Sequence, residues 1–93
     1  MSTKTKKGVA LIVGAGDATG GAIAKRFAKE GFQVVVTRRK IESLDNLSQE
    51  IRMMDGIVHP FGVDARREDD VVPLIEKIER DIGPIEVAVY NVG

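Results

Sequence analysis

Apolar residues in this chain fall into four short runs, separated by three longer segments with helical spacing. The runs are rich in branched side chains, which is typical of strands buried on both faces of a parallel sheet. The longer segments carry apolar residues three and four positions apart, with charged residues between them. The pattern predicts strands at 10–13, 32–37, 57–63 and 85–90 and helices at 19–30, 41–54 and 68–82. Met53 and Met54, at the end of the second helix, are expected to pack in the core.

Alternating strands and helices predict an α/β fold with a parallel sheet and right-handed crossovers. Pro60 removes a hydrogen-bond donor from the third strand, which indicates a sheet edge. This favours a Rossmann-type strand order of 3-2-1-4, with two helices on one face and the third on the other. The sheet face that carries only the third helix would be incompletely covered, and so would the apolar fourth strand. We therefore expect half of a doubly wound domain. We expect residues 8–93 to form this half-domain, truncated after the fourth strand, and residues 1–7 to form a flexible tail.

Composition narrows the class of protein without deciding its function. The chain has 93 residues, with 14 basic and 14 acidic side chains and no cysteine. Zero net charge, without a basic patch among aromatic residues, argues against nucleic-acid binding. The lack of cysteine excludes disulfides and thiolate metal sites. No apolar run approaches the roughly 18 residues of a membrane span, so we expect a cytoplasmic protein without a membrane partner.

The candidate chemistry begins in the turn between the first strand and the first helix. A strand, a glycine-rich turn and a helix direct unpaired N–H groups and a positive dipole end at an anion, which predicts a phosphate site. A P-loop would need lysine and serine or threonine after Gly20, where Gly21 and Ala22 stand instead. The spacing of Gly14, Gly16 and Gly20 has one residue more than the dinucleotide fingerprint G-x-G-x-x-G. A tight turn without a ligand is the alternative.

Three cations, Arg38, Arg39 and Lys40, follow the second strand. An NAD-binding unit carries an acidic residue near this point, where it accepts hydrogen bonds from the ribose hydroxyls. Here the first carboxylate is that of Glu42, and an arginine fork can hold a 2′-phosphate by charge-assisted hydrogen bonds. We therefore predict NADP(H), with NAD less favoured, and the alternative is an ordinary basic loop.

Two polar residues of the third strand and the following loop need an interpretation. Asp64 follows the strand at its carboxyl end, where open α/β sheets bind their ligands. It is equally suited to accept a hydrogen bond from an adenine amino group and to cap the third helix. His59 has no partner at metal-ligand spacing, so we expect it to be structural.

Taken together, these motifs resemble the N-terminal half of the short-chain dehydrogenase/reductase family. The stretches GAGDATGGAIAKRFA, VVVTRR and VAVYNVG carry the resemblance over about residues 8–93. In the family pattern T-G-x-x-x-G-x-G, Val13 stands for the threonine and Ala18 for the middle glycine. Of the later N-N-A-G motif only Asn91 and Gly93 remain, which marks a divergent member.

The resemblance implies where a dinucleotide would lie. The glycine turn would line the pyrophosphate and the adenosine ribose, the two arginines would choose NADP, Asp64 would meet the adenine, and the chain end would lie near the nicotinamide-side ribose. The cofactor-binding residues expected on this basis are Gly14, Gly16, Asp17, Thr19, Gly20, Arg38, Arg39, Asp64, Asn91 and Gly93.

The family transfers hydride between a nicotinamide and a small carbonyl or alcohol, using a serine, a tyrosine and a lysine in Y-x-x-x-K. Tyr90 has no lysine after it, and Ser2, Ser43 and Ser48 fall in the tail and the second helix, so no catalytic residue is expected. We expect the nucleotide-binding portion of an NADP(H)-dependent oxidoreductase, inactive alone, without a metal, that forms homo-oligomers. The alternative is a non-catalytic dinucleotide-binding or dimerising module.

Overall fold

The chain folds around a parallel sheet, which a computed structural model describes for residues 8–16 and 18–91. The strand order is β3-β2-β1-β4, as the sequence predicts. Every neighbouring pair of these strands is parallel. The elements are β1 (Val9–Val13), α1 (Ala18–Lys29), β2 (Gln33–Arg38), a 3-10 turn (Ile41–Leu44) that leads into α2 (Asp45–Met53), β3 (Ile57–Gly62), α3 (Glu68–Asp81) and β4 (Ile85–Tyr90).

The central strand β1 explains why its apolar run is continuous rather than alternating. All five of its residues are buried, because each face of the sheet is covered at this point. Ala10 and Ile12 pack with α1 and α2 in one core cluster. Leu11 and Val13 pack against Leu74 of α3 in a second cluster on the opposite face. Each fully buried branched side chain contributes roughly 1.5–3 kcal/mol to the hydrophobic driving force.

The two edges of the described sheet differ in how their strands are covered. Pro60 lies on the edge strand β3, as predicted. On the other edge, β4 contains an irregularity in register, since Val9 pairs with Ile85 while Ala10 pairs with Val87. Residues of β4 alternate between half-buried and exposed, and Tyr90 is 54% exposed. The fourth strand is thus open on one side within the described part of the chain.

The second helix corrects one expectation. Met53 is 86% exposed and Met54 is 40% exposed, so neither is a core residue. The helix ends at Met53, and Asp55 takes a left-handed conformation with φ of 64°. The chain therefore turns away from the core before the apolar stripe completes another turn, and Ile51 is the last residue of the helix that is fully buried.

Helix α1 approaches the end of β1 closely, and Gly20 makes this possible. A Cβ atom on Gly20 would lie 2.6 Å from the carbonyl oxygen of Gly14 and 2.8 Å from the Cα of Ala15. Both are backbone atoms, which cannot move aside as a flexible side chain can. The neighbouring Gly21 is different, because a Cβ there would lie 3.5 Å from Cδ1 of Leu47, an ordinary contact.

We predict opposite effects from two adjacent substitutions. Gly20→Ala should lower the free energy of unfolding by about 1–3 kcal/mol, since the added methyl group overpacks a backbone contact. Gly21→Ala, the matched control, should raise it by roughly 0.5–1 kcal/mol, because alanine favours a helix interior over glycine. Urea denaturation followed by circular dichroism measures both. Equal effects of the two substitutions would contradict the close approach of α1 to the turn.

Candidate dinucleotide site

The turn after β1 is tied to the end of β2 by one carbonyl group. The backbone N–H groups of Gly14 and Ala15 both donate to the carbonyl oxygen of Thr37, at 3.1 and 2.9 Å. Gly14 has φ of 83°, a left-handed conformation that favours glycine. These two amides are therefore used inside the protein. An anion would instead meet the opening turn of α1, since the first N–H groups of a helix have no helical acceptor.

Asn91 fastens the end of β4 to the same turn. Its backbone N–H donates to the carbonyl of Val13 at 2.8 Å, and its side-chain Nδ2 donates to the carbonyl of Gly14 at 3.1 Å. A Cβ on Gly20 would lie 2.9 Å from that same Nδ2. The structure therefore brings Gly14, Gly20 and Asn91 together between β1 and β4, where open α/β sheets bind their ligands. Thr19 is exposed on the first turn of α1.

Arg38, the last residue of β2, lies across the glycine turn. A Cβ on Gly16 would lie 2.7 Å from Cδ and 3.0 Å from Cζ of the arginine, and closer still to Nη1. Its guanidinium group thus lies against the backbone of the turn rather than being directed away from it. Arg38, Arg39 and Lys40 are all exposed at this end of the sheet.

Asp64 lies near two arginines, Arg66 and Arg39. Its Oδ1 accepts hydrogen bonds from the backbone N–H and from Nε of Arg66, at 3.0 and 3.2 Å. The side-chain hydrogen bond and then the backbone hydrogen bond from Arg66 lower the pKa of the Asp64 carboxyl, and the charge of Arg39 acts in the same direction. The carboxylate is therefore ionised and faces two cations. Asp70 accepts a hydrogen bond from the backbone N–H of Asp64 at 3.3 Å.

The alternative role of Asp64 as a helix cap does not fit this geometry. The N-cap residue of α3 is Arg67, and it has no side-chain capping hydrogen bond. The Asp64 carboxylate instead bonds to Arg66 within its own turn. Sequence reasoning missed Arg66 as a partner. The signal was present, because an aspartate commonly bonds to the backbone N–H two residues later in a turn.

A groove of about 350 Å³ opens beside the glycine turn, between α1 and α2. Gly16 and Gly21 lie on its α1 side, and Ser43 lies on its other side. Lys25 and Glu50 form an ion pair of 2.8 Å in its lining, linking the two helices. The groove extends from the turn toward α2. Its charged lining residues Lys25 and Glu50 neutralise each other.

A family model described as short chain dehydrogenase matches residues 8–93. The chain belongs to this family. Its sequence is 36% identical over 93 residues to the uncharacterized oxidoreductase YvrD of Bacillus subtilis, covering 100% of this chain and 35% of YvrD. It is 36% identical over 84 residues to a glucose 1-dehydrogenase of Gluconobacter oxydans, covering 89% of this chain and 32% of that enzyme.

Solved short-chain dehydrogenase structures have the same fold. A variant of actinorhodin polyketide ketoreductase with NADPH superposes with a TM-score of 0.88 at 32% identity, covering 100% of this chain and 35% of that one. A metagenomic short-chain oxidoreductase in complex with NADP gives 0.87 at 29% identity, covering 91% of this chain and 38% of that one. The resemblance inferred from the motifs is thereby confirmed. The chain spans about a third of the length of the relatives it matches.

The remaining expectations concern two binding residues, a metal site, a membrane span and the serines. Asp17 and Gly93, two expected binding residues, fall outside the described residues. Among the residues that are described, no group of three or more His, Cys, Asp or Glu side chains is arranged to hold a metal ion. None of the described helices is long and apolar enough to cross a membrane. Ser43 donates its hydroxyl to the carbonyl of Lys40, and Ser48 is buried in α2.

His59 has a structural setting on β3. Its Nε2 lies 3.2 Å from Oε1 of Gln33 on the adjacent strand. Burial lowers the pKa of the imidazole below its ordinary 6.5, and the positive charge of Arg52 lowers it further. The ring is therefore more readily neutral in the folded chain than in the unfolded one.

We predict that His59 contributes to the pH dependence of stability. Because its pKa is lower in the folded state, the unfolded state takes up protons first. Its contribution is complete above the ordinary pKa of 6.5 and is lost as the pH falls from there through the lowered folded pKa. Unfolding free energies measured from about pH 7.5 down to about pH 5.5 should fall more for the unchanged chain than for His59→Gln.

The control for this experiment is Arg52→Gln. Burial is the larger cause of the shift, so removing the Arg52 charge should retain most of the pH dependence. Identical pH profiles for the unchanged chain and His59→Gln would show that the ring does not change its pKa on folding.

Proposed function

We propose that this chain binds NADP(H) and is the dinucleotide-binding portion of an NADP(H)-dependent short-chain oxidoreductase. The observation that carries the proposal is the position of Arg38, whose guanidinium group lies against Gly16 in the glycine turn. A cation at this point favours the 2′-phosphate of NADP(H) over the free ribose hydroxyl of NAD(H). Two solved structures with the same fold contain NADP or NADPH.

The diphosphate of the cofactor is matched by the start of α1. The turn before this helix has only glycine or alanine side chains in its described residues, Gly14, Ala15 and Gly16, so a ligand can approach the backbone. Helix α1 has no acidic residue in its first turn, and the positive end of its dipole attracts an anion. These features fit an anion at the mouth of the helix.

The adenine end is matched by Asp64. Its carboxylate is ionised and is held in place by Arg66, so it can accept a hydrogen bond from the exocyclic amino group of adenine. Arg39 contributes positive charge next to this carboxylate. We propose that this charge also assists Arg38 in selecting NADP(H).

Hydride chemistry is supplied by the nicotinamide when the cofactor is bound. This chain's own contribution is to bind and orient the dinucleotide, with Asn91 on the side of the turn toward β4. Tyr90 is the only tyrosine in the sequence, and no lysine follows it. We therefore propose that the 93-residue chain alone does not reduce carbonyls or oxidise alcohols, and that a substrate is bound only by a longer protein that includes it.

A second candidate function is a module that dimerises through β4. The observation that favours it is the open edge of this strand in the described sheet, together with the exposure of Ala88 and Tyr90. An apolar, unpaired edge strand is a template for pairing with another chain. Pairing of β4 with a second copy is compatible with dinucleotide binding and is proposed as the route to a homo-oligomer.

We predict that the 93-residue chain binds NADPH more tightly than NADH, and that this preference depends on the two arginines. Each charge-assisted hydrogen bond contributes about 1.5–3 kcal/mol, so Arg38→Ala with Arg39→Ala should weaken NADPH binding by roughly tenfold or more. NADH affinity should change little, since it lacks the 2′-phosphate. Fluorescence titration of each reduced cofactor gives both dissociation constants.

Arg80→Ala is the matched control, because Arg80 is an exposed arginine near the end of α3 that pairs with Asp81. It removes one positive charge far from the turn and should leave both affinities unchanged. Equal affinity of the unchanged chain for NADPH and NADH would refute the preference. Unchanged NADPH affinity in the double variant would refute the role of the arginines.

We also predict that the chain self-associates through β4. Analytical ultracentrifugation should show dimers that dissociate on dilution, and Tyr90→Lys should shift the population to monomer because a charge on an edge strand opposes pairing. Met53→Lys is the control, since Met53 is also a large exposed hydrophobic residue, 86% exposed, but lies at the end of α2. A monomer throughout the concentration range would contradict the dimerising module.

A further inference from the structure

Gly16 differs from the two other glycines of the turn in what its missing side chain permits. Gly14 is required by a backbone φ of 83°, and Gly20 by backbone atoms 2.6–2.8 Å from where its Cβ would stand. Gly16 is not among the glycines with positive φ, so the backbone at this position accepts alanine. The three atoms nearest to a Cβ there all belong to the side chain of Arg38.

We propose that Gly16 determines the cofactor preference by positioning Arg38. Because Gly16 has no Cβ, the guanidinium group can lie across the turn, next to the place where NADP(H) and NAD(H) differ. Any side chain at this position would push the end of the arginine away. The inference rests on the proposed function and assigns a separate role to Gly16, which is a positioning residue and not a ligand of the phosphate.

The backbone of Arg38 is fixed by hydrogen bonds, whereas its guanidinium group is not. Its carbonyl accepts the backbone N–H of Val63 at 2.9 Å, while the preceding carbonyl, that of Thr37, accepts the N–H groups of the turn. The backbone at Arg38 is thus held from both neighbouring strands. The guanidinium lies at the end of an exposed, flexible side chain, so a methyl group at position 16 displaces it without disturbing the sheet.

The consequence concerns one phosphate only. The diphosphate is bound by the opening turn of α1, and a small side chain at position 16 leaves the dipole of that helix unchanged. The 2′-phosphate depends on a guanidinium fork in the correct place, because bidentate bonds require both position and orientation. Displacing Arg38 should therefore reduce the preference for NADP(H) while NAD(H) binding is retained.

A double-mutant cycle tests the proposal on the 93-residue chain. Dissociation constants for NADPH and NADH are measured for the unchanged chain, Gly16→Ala, Arg38→Ala and the double variant. Gly16→Ala should lower the NADPH-over-NADH preference by about tenfold, and should have no further effect on it once Arg38 is alanine, because coupled residues are not additive. Gly21→Ala, which adds the same methyl group within α1 instead of in the turn, should leave the preference unchanged.

The outcomes separate the inference from the function on which it rests. If the unchanged chain prefers NADPH and Gly16→Ala keeps that preference, the positioning role is overturned and the proposed function stands. Equal loss of both cofactors in Gly16→Ala, or an undiminished effect in the Arg38→Ala background, would also overturn it. If the unchanged chain binds neither dinucleotide, the proposed function fails, and the inference fails with it. Thermal unfolding of each variant confirms that the chains compared are folded.

Discussion

The carbonyl group of Thr37 holds the candidate site together. It accepts two backbone N–H groups from the glycine turn, at 3.1 and 2.9 Å, and so fixes the end of β1 against the end of β2. Thr37 is fully buried, which protects these hydrogen bonds from competition with water. Because Arg38 is the next residue, the same contact determines that its side chain emerges beside the turn. The proposed anion site and the cation proposed to select NADP(H) are thus positioned by one hydrogen-bonded junction.

The junction is effective because the rest of the fold leaves the carboxyl edge of the sheet accessible. Helices α1 and α2 cover one face and α3 covers the other, so the residues of β1 are buried, while Gly14 and Gly16 in the turn beyond it are only half-buried. Asn91 closes the opposite side by bonding to Val13 and Gly14. The strands β2, β1 and β4 therefore deliver polar groups to one edge, in agreement with the position of ligands in open parallel sheets.

The fold was largely predictable because its signals are local. Unbroken apolar runs identified the strands, and Pro60 identified an edge, so the strand order followed from connection rules. The error at Met53 and Met54 has a local cause, since helical spacing continued while Asp55 turned the chain out of the helix. A single residue with φ of 64° is difficult to anticipate from a pattern of apolar positions.

The site was predictable only in part, for a different reason. Glycine spacing indicates that a backbone is accessible, but it does not tell which atoms lie opposite each missing side chain. The contact between Gly16 and Arg38 joins the turn after β1 to the end of β2, and the side-chain bond from Arg66 to Asp64 depends on one side-chain conformation. Unlike the backbone hydrogen bond from Arg66 to Asp64, which an aspartate turn predicts, neither of these side-chain contacts is encoded in a motif. The three glycines look equivalent in the sequence and become distinct only in three dimensions.

This distinction separates the stability of the site from its selectivity. Gly14 and Gly20 are constrained by the backbone, so changes there act on the fold as well as on the anion site. Gly16 is constrained only by the end of a flexible side chain, whose displacement costs the folded state little. In the proposed complex, diphosphate binding and 2′-phosphate selection therefore depend on different atoms, although both involve the same turn. A chain built in this way can change its preference between the two cofactors while keeping the junction at Thr37 intact, because the discriminating group is attached to that junction and is not part of it.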